Sequence, residues 1–246
     1  MKKYFLTRLK TVEFLEKLAA TPGDKSLTLY LPPRLSAAEL QNLVKETQAP
    51  PAVSAKLIEI ITPSPNGAVI FWGEKQQCLV APPFPITNKT LFQSYDAAPL
   101  ISLISRDYTI GVVLIRLGAY GIGVFRGDKL ITSKVGTGLV HGRHRQGGSS
   151  SRRFERHRDK QMESFFNRVC SHVHEQFEPY IKSLDYLAYG GAWETIQLFI
   201  KYCPLLAKLD KPILPPLSDT PEPRQSVLEK AIGRIWANTI YDFSED

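Results

Sequence analysis

Two runs of β-forming residues, Thr109–Arg116 (TIGVVLIR) and Ala119–Arg126 (AYGIGVFR), are followed by a third at residues 129–135 (KLITSKV), with only Leu117-Gly118 and Gly127-Asp128 between them. Two-residue joints containing glycine leave no room for a crossover, so the three strands must form an antiparallel meander. Residues 136–151 (GTGLVHGRHRQGGSSS) then bring five glycines and three serines and read as a loop. A helix follows over residues 152–177. Phe154, Arg158, Met162, Phe165, Val169, Val173 and Phe177 step by three or four, which makes one face apolar beyond the first turn. Residues 184–189 (LDYLAY) read as a buried strand, followed by Gly190-Gly191, a helix over 193–202, a short strand over 213–217 and a last helix over 224–239. This order predicts a mixed α+β fold in which helices pack on a mixed sheet.

The residues before the meander suggest a smaller α/β part. Leu9, Val12, Leu15 and Leu18 give residues 8–20 helical spacing, and residues 26–31 alternate as a strand. Ser36 is placed to cap a helix over 37–47, and residues 53–61 suit another helix. Residues 68–71 and 77–80 form two strands about the turn at Trp72. The expected division is a small domain over residues 1–95 and a larger one over 96–246.

Cys78, Cys170 and Cys203 include no CxxC pair, so a disulfide framework and a structural zinc site are not expected, and all three read as thiols of a reducing compartment. The longest apolar runs, such as residues 110–115, fall far short of a membrane span. Arg8 and Lys10 interrupt the apolar start that follows Lys2-Lys3, against a secretory signal. A cytoplasmic location is expected, with no membrane partner.

The net charge is +7, and its location matters more than its size. Between residues 141 and 160 stand six arginines and one lysine against Glu155 and Asp159, which is +5 of the total. Helix N-termini favour negative charge, yet Arg152, Arg153, Arg156 and Arg158 crowd the first two turns of the predicted helix. Cations in that position, behind a Gly-Ser loop, suit an anion supplied from outside: arginine forks and free backbone N–H groups both face phosphates. Arg143, Arg145, His144 and Lys134 are further candidates for RNA contacts. The other reading is a solvated charged face, which normally carries more opposing acids.

The run FRGDKLITSKVGTGLVHGRHRQGGSSSRRFERHR resembles the catalytic segment of the Vms-like release factors, within the superfamily of eukaryotic and archaeal class-I peptide release factors. The likeness extends more weakly over residues 68–215 and takes in WGEKQQCLVAPPFP. It implies a mixed sheet with flanking helices of ribonuclease H-like topology. It also implies a peptidyl-tRNA hydrolase acting on ribosomes, often stalled ones, with large-subunit rRNA and peptidyl-tRNA as partners and no metal or cofactor. Gly147 and Gly148 match the family's glycine pair, which lets the backbone approach the tRNA end without a Cβ clash. Arg152, Arg153, Arg156 and Arg158 match its basic helix start. The family's glutamine lies shortly after the glycines. Here Ser150 and Ser151 occupy that stretch, and Gln146 stands before the pair. Two expectations follow. Either backbone amides orient the attacking water with Gln146 or a serine, or the protein binds ribosomal or structured RNA without hydrolysis.

Rival sites are weaker. His141 and His144, or His172 and His174, could supply metal ligands, but no cysteine or carboxylate is placed to complete a set, and helical residues two apart point to different sides. Ser149, Ser150 and Ser151 near those histidines lack the nucleophile elbow of a serine hydrolase. Gly190-Gly191 lacks the rest of a dinucleotide fingerprint and reads as a tight strand-to-helix joint. Asp107, Asp128 and Asp185 lie near strand ends but share no spacing that predicts a nuclease metal cluster. Trp72, Trp193 and Trp236 read as core or interface residues.

Overall fold

The computed structural model describes residues 1–21, 25–140 and 151–244, apart from the side chains of Ser151 and Arg152. In chain order the elements are β1 (Lys2–Leu6), α1 (Arg8–Ala19), β2 (Leu27–Leu31), α2 (Ala37–Lys45), α3 (Pro51–Ile61), β3 (Ala68–Trp72), β4 (Gln77–Ala81), β5 (Thr90–Phe92) and α4 (Ala98–Ser105). They continue as β6 (Thr109–Arg116), β7 (Ala119–Arg126), β8 (Lys129–Thr137), α5 (Ser151–Phe177), β9 (Tyr186–Gly190), α6 (Trp193–Tyr202), α7 (Pro204–Lys208), α8 (Gln225–Ile235) and β10 (Asn238–Asp242). The fold is mixed α+β, with two sheets and flanking helices. It comprises two compact units: Met1–Arg106 with Trp236–Asp246, and Asp107–Ile235.

In the first unit an antiparallel sheet runs β1-β10-β4-β3-β2-β5. Successive residues of β3 supply opposite faces. Val69 and Phe71 pack with Leu15, Leu18, Leu100 and Ile104 of α1 and α4, whereas Ala68, Ile70 and Trp72 pack with Leu40, Val44, Leu57 and Ile61 of α2 and α3. Both faces are therefore covered, which is why β3 is buried at every position. Ser36 caps α2 as its position suggested: the Glu39 amide donates to its Oγ at 3.3 Å, and the Ser36 amide donates back to the Glu39 carboxylate at 3.1 Å. Hydrogen bonds from the Ser36 hydroxyl and backbone hold the Glu39 carboxyl below the usual carboxylate range.

The division differs from 1–95 and 96–246 at both ends. Residues 96–106 stay with the first unit because Leu100 and Ile104 complete its core. The chain end returns to it because β10 pairs with both β1 and β4. The helix expected over 224–239 accordingly stops at Ile235, where strand pairing replaces helical bonding for residues 238–242.

The second unit contains the meander. Arg116 pairs with Ala119 and Arg126 with Lys129, so both joints are two-residue turns, with positive φ at Gly118 and Gly127. The strand order is β8-β7-β6-β9, with β9 parallel to β6. Residues 213–217 do not form a full strand; Ile213 and Leu217 make single parallel bridges to Leu187 and Gly190. Three antiparallel strands followed by a parallel fourth match the topology that the resemblance implies. Phe165, Phe166, Val169, Val173 and Phe177 of α5 press onto Val113, Tyr120, Ile122 and Val124 of the sheet and onto Ile196 and Phe199 of α6. At roughly 1.5–3 kcal/mol for each large apolar side chain buried, this face anchors the helix. Its first turns extend beyond that contact, and Phe154 is 54% exposed.

The reading of all three cysteines as thiols is corrected. Cys170 of α5 and Cys203 after α6 form a disulfide across 33 residues, their Cα atoms 5.2 Å apart, and Cys78 is free and buried. No spacing motif signals the pair; the packing of α5 against α6 creates it. Among the described residues no helix is long and apolar enough to cross a membrane.

Gly191, at φ +130°, joins β9 to α6 with its backbone against the Ile115 carbonyl, into which a Cβ would be driven. This accounts structurally for the second glycine of Gly190-Gly191. Gly191→Ala is expected to lower stability by about 3 kcal/mol, read as a shift of the chemical-denaturation midpoint; an unchanged midpoint would show that the joint relaxes freely.

Candidate nucleic-acid interface

Strand β8 and helix α5 run side by side. Arg168 donates from Nη2 to the Thr137 carbonyl at 2.8 Å, and Thr132 donates to the Gln176 side chain at 2.5 Å. Leaving β8, the chain is held on its other side by the Gly138 amide, which donates to the Gly118 carbonyl at 2.8 Å. The bonds of Arg168 and Thr132 hold β8 against the middle and last turns of α5. Arg143, His144, Arg145, Gln146, Gly147, Gly148 and Ser150 lie outside the described residues, as do the side chains of Ser151 and Arg152.

The first turn of α5 contains no acid. Arg153 and Arg156 are exposed, and among the described residues neither meets a carboxylate. Arg158 is half-buried and has contacts of its own. Glu155, Asp159 and Glu163 step by four and share a different face, roughly 140° around the helix from Arg153, His157 and Lys160. The acids are therefore turned away from Arg153, His157 and Lys160, whereas Arg156 shares their side of the helix without meeting a carboxylate among the described residues. The exposed guanidinium groups concentrate positive charge at the end of the helix whose backbone dipole is also positive. That arrangement can receive phosphate by bidentate, charge-assisted hydrogen bonds.

Lys134 is not brought to this cluster. It stands near Glu175, which places it about 33 Å along the helix from Arg153. The Glu175 carboxyl is held below the usual carboxylate range chiefly by its hydrogen bond to His172, with Lys134 adding a smaller pull. His172 contacts the Glu175 carboxylate at 2.9 Å and stacks on Tyr120, with ring centroids 5.6 Å apart; His174 contacts Glu178 at 3.2 Å. His157 contacts Gln161 at 3.1 Å. Among the described residues no three histidine, cysteine or carboxylate side chains converge on a metal position. Asp185 is used structurally, its carboxylate accepting from the Thr109 amide at 2.8 Å. Trp72 and Trp236 are buried, and Trp236 lies under the Arg8 guanidinium at 4.3 Å, whereas Trp193 is 53% exposed.

Residues 108–241 match the family model for the Actinobacteria/chloroflexi VLRF1 release factor, just over half of the chain. The chain belongs to that family. Within this VLRF1 family chain the matched segment starts one residue after the second unit does and includes the meander and α5. The chain is also similar to peptide chain release factor subunit 1 of Aeropyrum pernix, at 26% identity over 236 residues, covering 83% of this chain and 62% of that protein. The corresponding factor of Archaeoglobus fulgidus is 27% identical over 232 residues, with 83% and 57% covered. The chain thus spans about three-fifths of the length of these curated relatives. Among solved structures it is similar to an archaeal translation termination factor, aRF1, with TM-score 0.38 and 19% identity, covering 93% of this chain and 73% of that one.

Sequence spacing identifies the arginine cluster and counts Lys160 with it but passes over Gln161, Ser164 and Arg168 farther along α5. Their signal is a step of three or four residues that continues from Arg153 and His157.

Proposed function

We propose that this chain is a ribosome-associated peptidyl-tRNA hydrolase of release-factor type, acting in the cytoplasm on stalled ribosomes. In this reading Arg153 and Arg156, with Arg143, Arg145, His144, Arg152 and Arg158, bind phosphates of large-subunit rRNA and tRNA. The Gly147-Gly148 backbone then lies close to the ester that links peptide to tRNA. Water attacks the ester carbonyl carbon, the bond to the terminal ribose oxygen breaks, and that oxygen takes up the proton as the peptide leaves as a carboxylic acid. Gln146, Ser150 and Ser151 are the side chains placed to orient the water beside backbone amides, and no metal or cofactor is required. The larger unit serves as the catalytic domain, with the Gly-Gly loop over residues 136–151.

The observation that carries this reading is the pair of exposed arginines, Arg153 and Arg156, with no carboxylate partner among the described residues, at the start of the helix that follows Gly147-Gly148 in a segment matched by the release-factor family model. One departure favours a second reading: Ser150 and Ser151 stand where the family carries glutamine, so the protein would bind ribosomal or structured RNA without hydrolysing it.

The deciding experiment adds the chain to purified stalled ribosomes that carry labelled peptidyl-tRNA. Peptide release well above the spontaneous rate, reduced in Gln146→Ala, is the expected result. Binding without release leaves the second reading in place, and absence of binding removes both.

A further inference from the structure

Beside the first half of α5 lies a groove of about 390 Å³, lined by Leu139, His157, Lys160, Gln161, Ser164, Phe165 and Arg168. Among the described residues no acidic side chain lines it. Lys160 and Ser164 are exposed and have no polar partner among the described residues. Arg168 commits one of its five N–H groups to the Thr137 carbonyl and sets its guanidinium 6.0 Å from the centre of the Phe165 ring. That bond holds the head of Arg168 beside the end of β8, in the lining of the groove. Opposite, Leu139 leaves 72% of its surface uncovered.

Lys160, Ser164 and Arg168 stand one above the other at intervals of four residues, a rise of about 6 Å per step. This is commensurate with one nucleotide of an extended sugar–phosphate chain. His157 and Arg153 extend the same row toward the helix start. The row therefore alternates charge and hydrogen-bond donors along a line, beside an exposed apolar side chain.

We infer that this groove binds single-stranded RNA, with Lys160, Ser164 and Arg168 on its phosphates and an unpaired base against Leu139. The inference rests on the RNA-directed reading of α5 given above and adds a binding surface that the loop and the helix start do not include. A cationic groove tracking a backbone, with an apolar contact for bases, is the general construction of single-strand sites. A duplex offers the same phosphates but keeps its bases paired and away from Leu139, so it binds the groove less well. An acidic peptide could satisfy the cations but has no planar group for the apolar wall.

Fluorescence anisotropy with the full chain tests this, using a labelled ten-nucleotide single-stranded RNA, a duplex of the same length and an oligoglutamate peptide, each over a range of salt. The single strand is expected to bind most tightly. Lys160→Glu with Ser164→Asp should weaken it about tenfold or more and lower the salt dependence by roughly one unit of slope. Lys160→Gln, which only neutralises, should show a smaller effect of the same kind. Lys160 and Ser164 are exposed, so circular dichroism should match wild type. Wild-type affinity in the double variant, with affinity abolished in Arg153→Glu/Arg156→Glu, overturns the groove and leaves the helix-start reading standing. Wild-type affinity in both sets of variants overturns both. Duplex or oligoglutamate binding as tightly as the single strand overturns the assignment of the occupant.

Discussion

Replacing Gly147 and Gly148 by alanine is expected to reduce peptide release by about 100-fold or more while ribosome binding stays within a few-fold of wild type. Glycine is needed where a backbone must approach another molecule closely or adopt positive φ, and each methyl group added at such a point displaces the chain. A displacement of about 1 Å at a reacting centre costs roughly 100-fold in rate. Binding depends instead on phosphate contacts, which the arginines on either side of the pair supply and which the substitution leaves in place. Release and co-sedimentation with stalled ribosomes would be measured on the same preparations. Release at the wild-type rate would remove the glycine pair from the reaction, and joint failure of binding and release would mean that the loop holds RNA and does no chemistry.

The second large effect concerns the start of α5. Arg153→Glu with Arg156→Glu should weaken ribosome binding by about 100-fold, at roughly tenfold for each phosphate left without its arginine. It should also flatten the dependence of affinity on salt by about two units of slope. Stability should move the other way. Arg153 stands in the first turn of α5, where glutamate complements the backbone dipole, so Arg153→Glu is expected to stabilise the folded chain by about 0.3–1 kcal/mol, whereas Arg156 stands in the second turn and its exchange should leave stability nearly unchanged. A variant that melts no lower than wild type and no longer binds ribosomes is the signature of cations kept for a ligand at a cost to the fold. Neither side chain meets a carboxylate among the described residues, so making the variant breaks no ion pair among them. Unchanged binding would identify these arginines as an ordinary solvated face.

Local pattern accounts for the parts of the fold read most closely. The meander and α5 lie within two residues of their expected bounds because strand alternation, two-residue glycine turns and helical spacing are all encoded over a few neighbouring residues. Strand β1, strand β5 and helix α4 are absent from the sequence-based expectation, and the predicted last helix overruns into the start of β10. These are short segments, and pairing or packing partners far along the chain determine their state; β10 exists because it fits between β1 and β4. The candidate site divides in the same way. The arginine cluster and the glycine pair are contiguous and visible in the residues themselves, whereas the groove requires Leu139 to be brought against α5 by the Arg168–Thr137 bond.

By itself the sequence determined which residues become the central hairpins and the long helix, and that positive charge collects at the start of that helix. It did so because turns, helical periodicity and charge are properties of near neighbours. Only the tertiary structure decided that Lys134 belongs beside Glu175 and apart from the arginines, that Cys170 meets Cys203, and that the chain end completes the first sheet. Each of these depends on how α5, α6 and β10 pack against residues distant in sequence, and burial and strand pairing set that packing with no mark in local spacing.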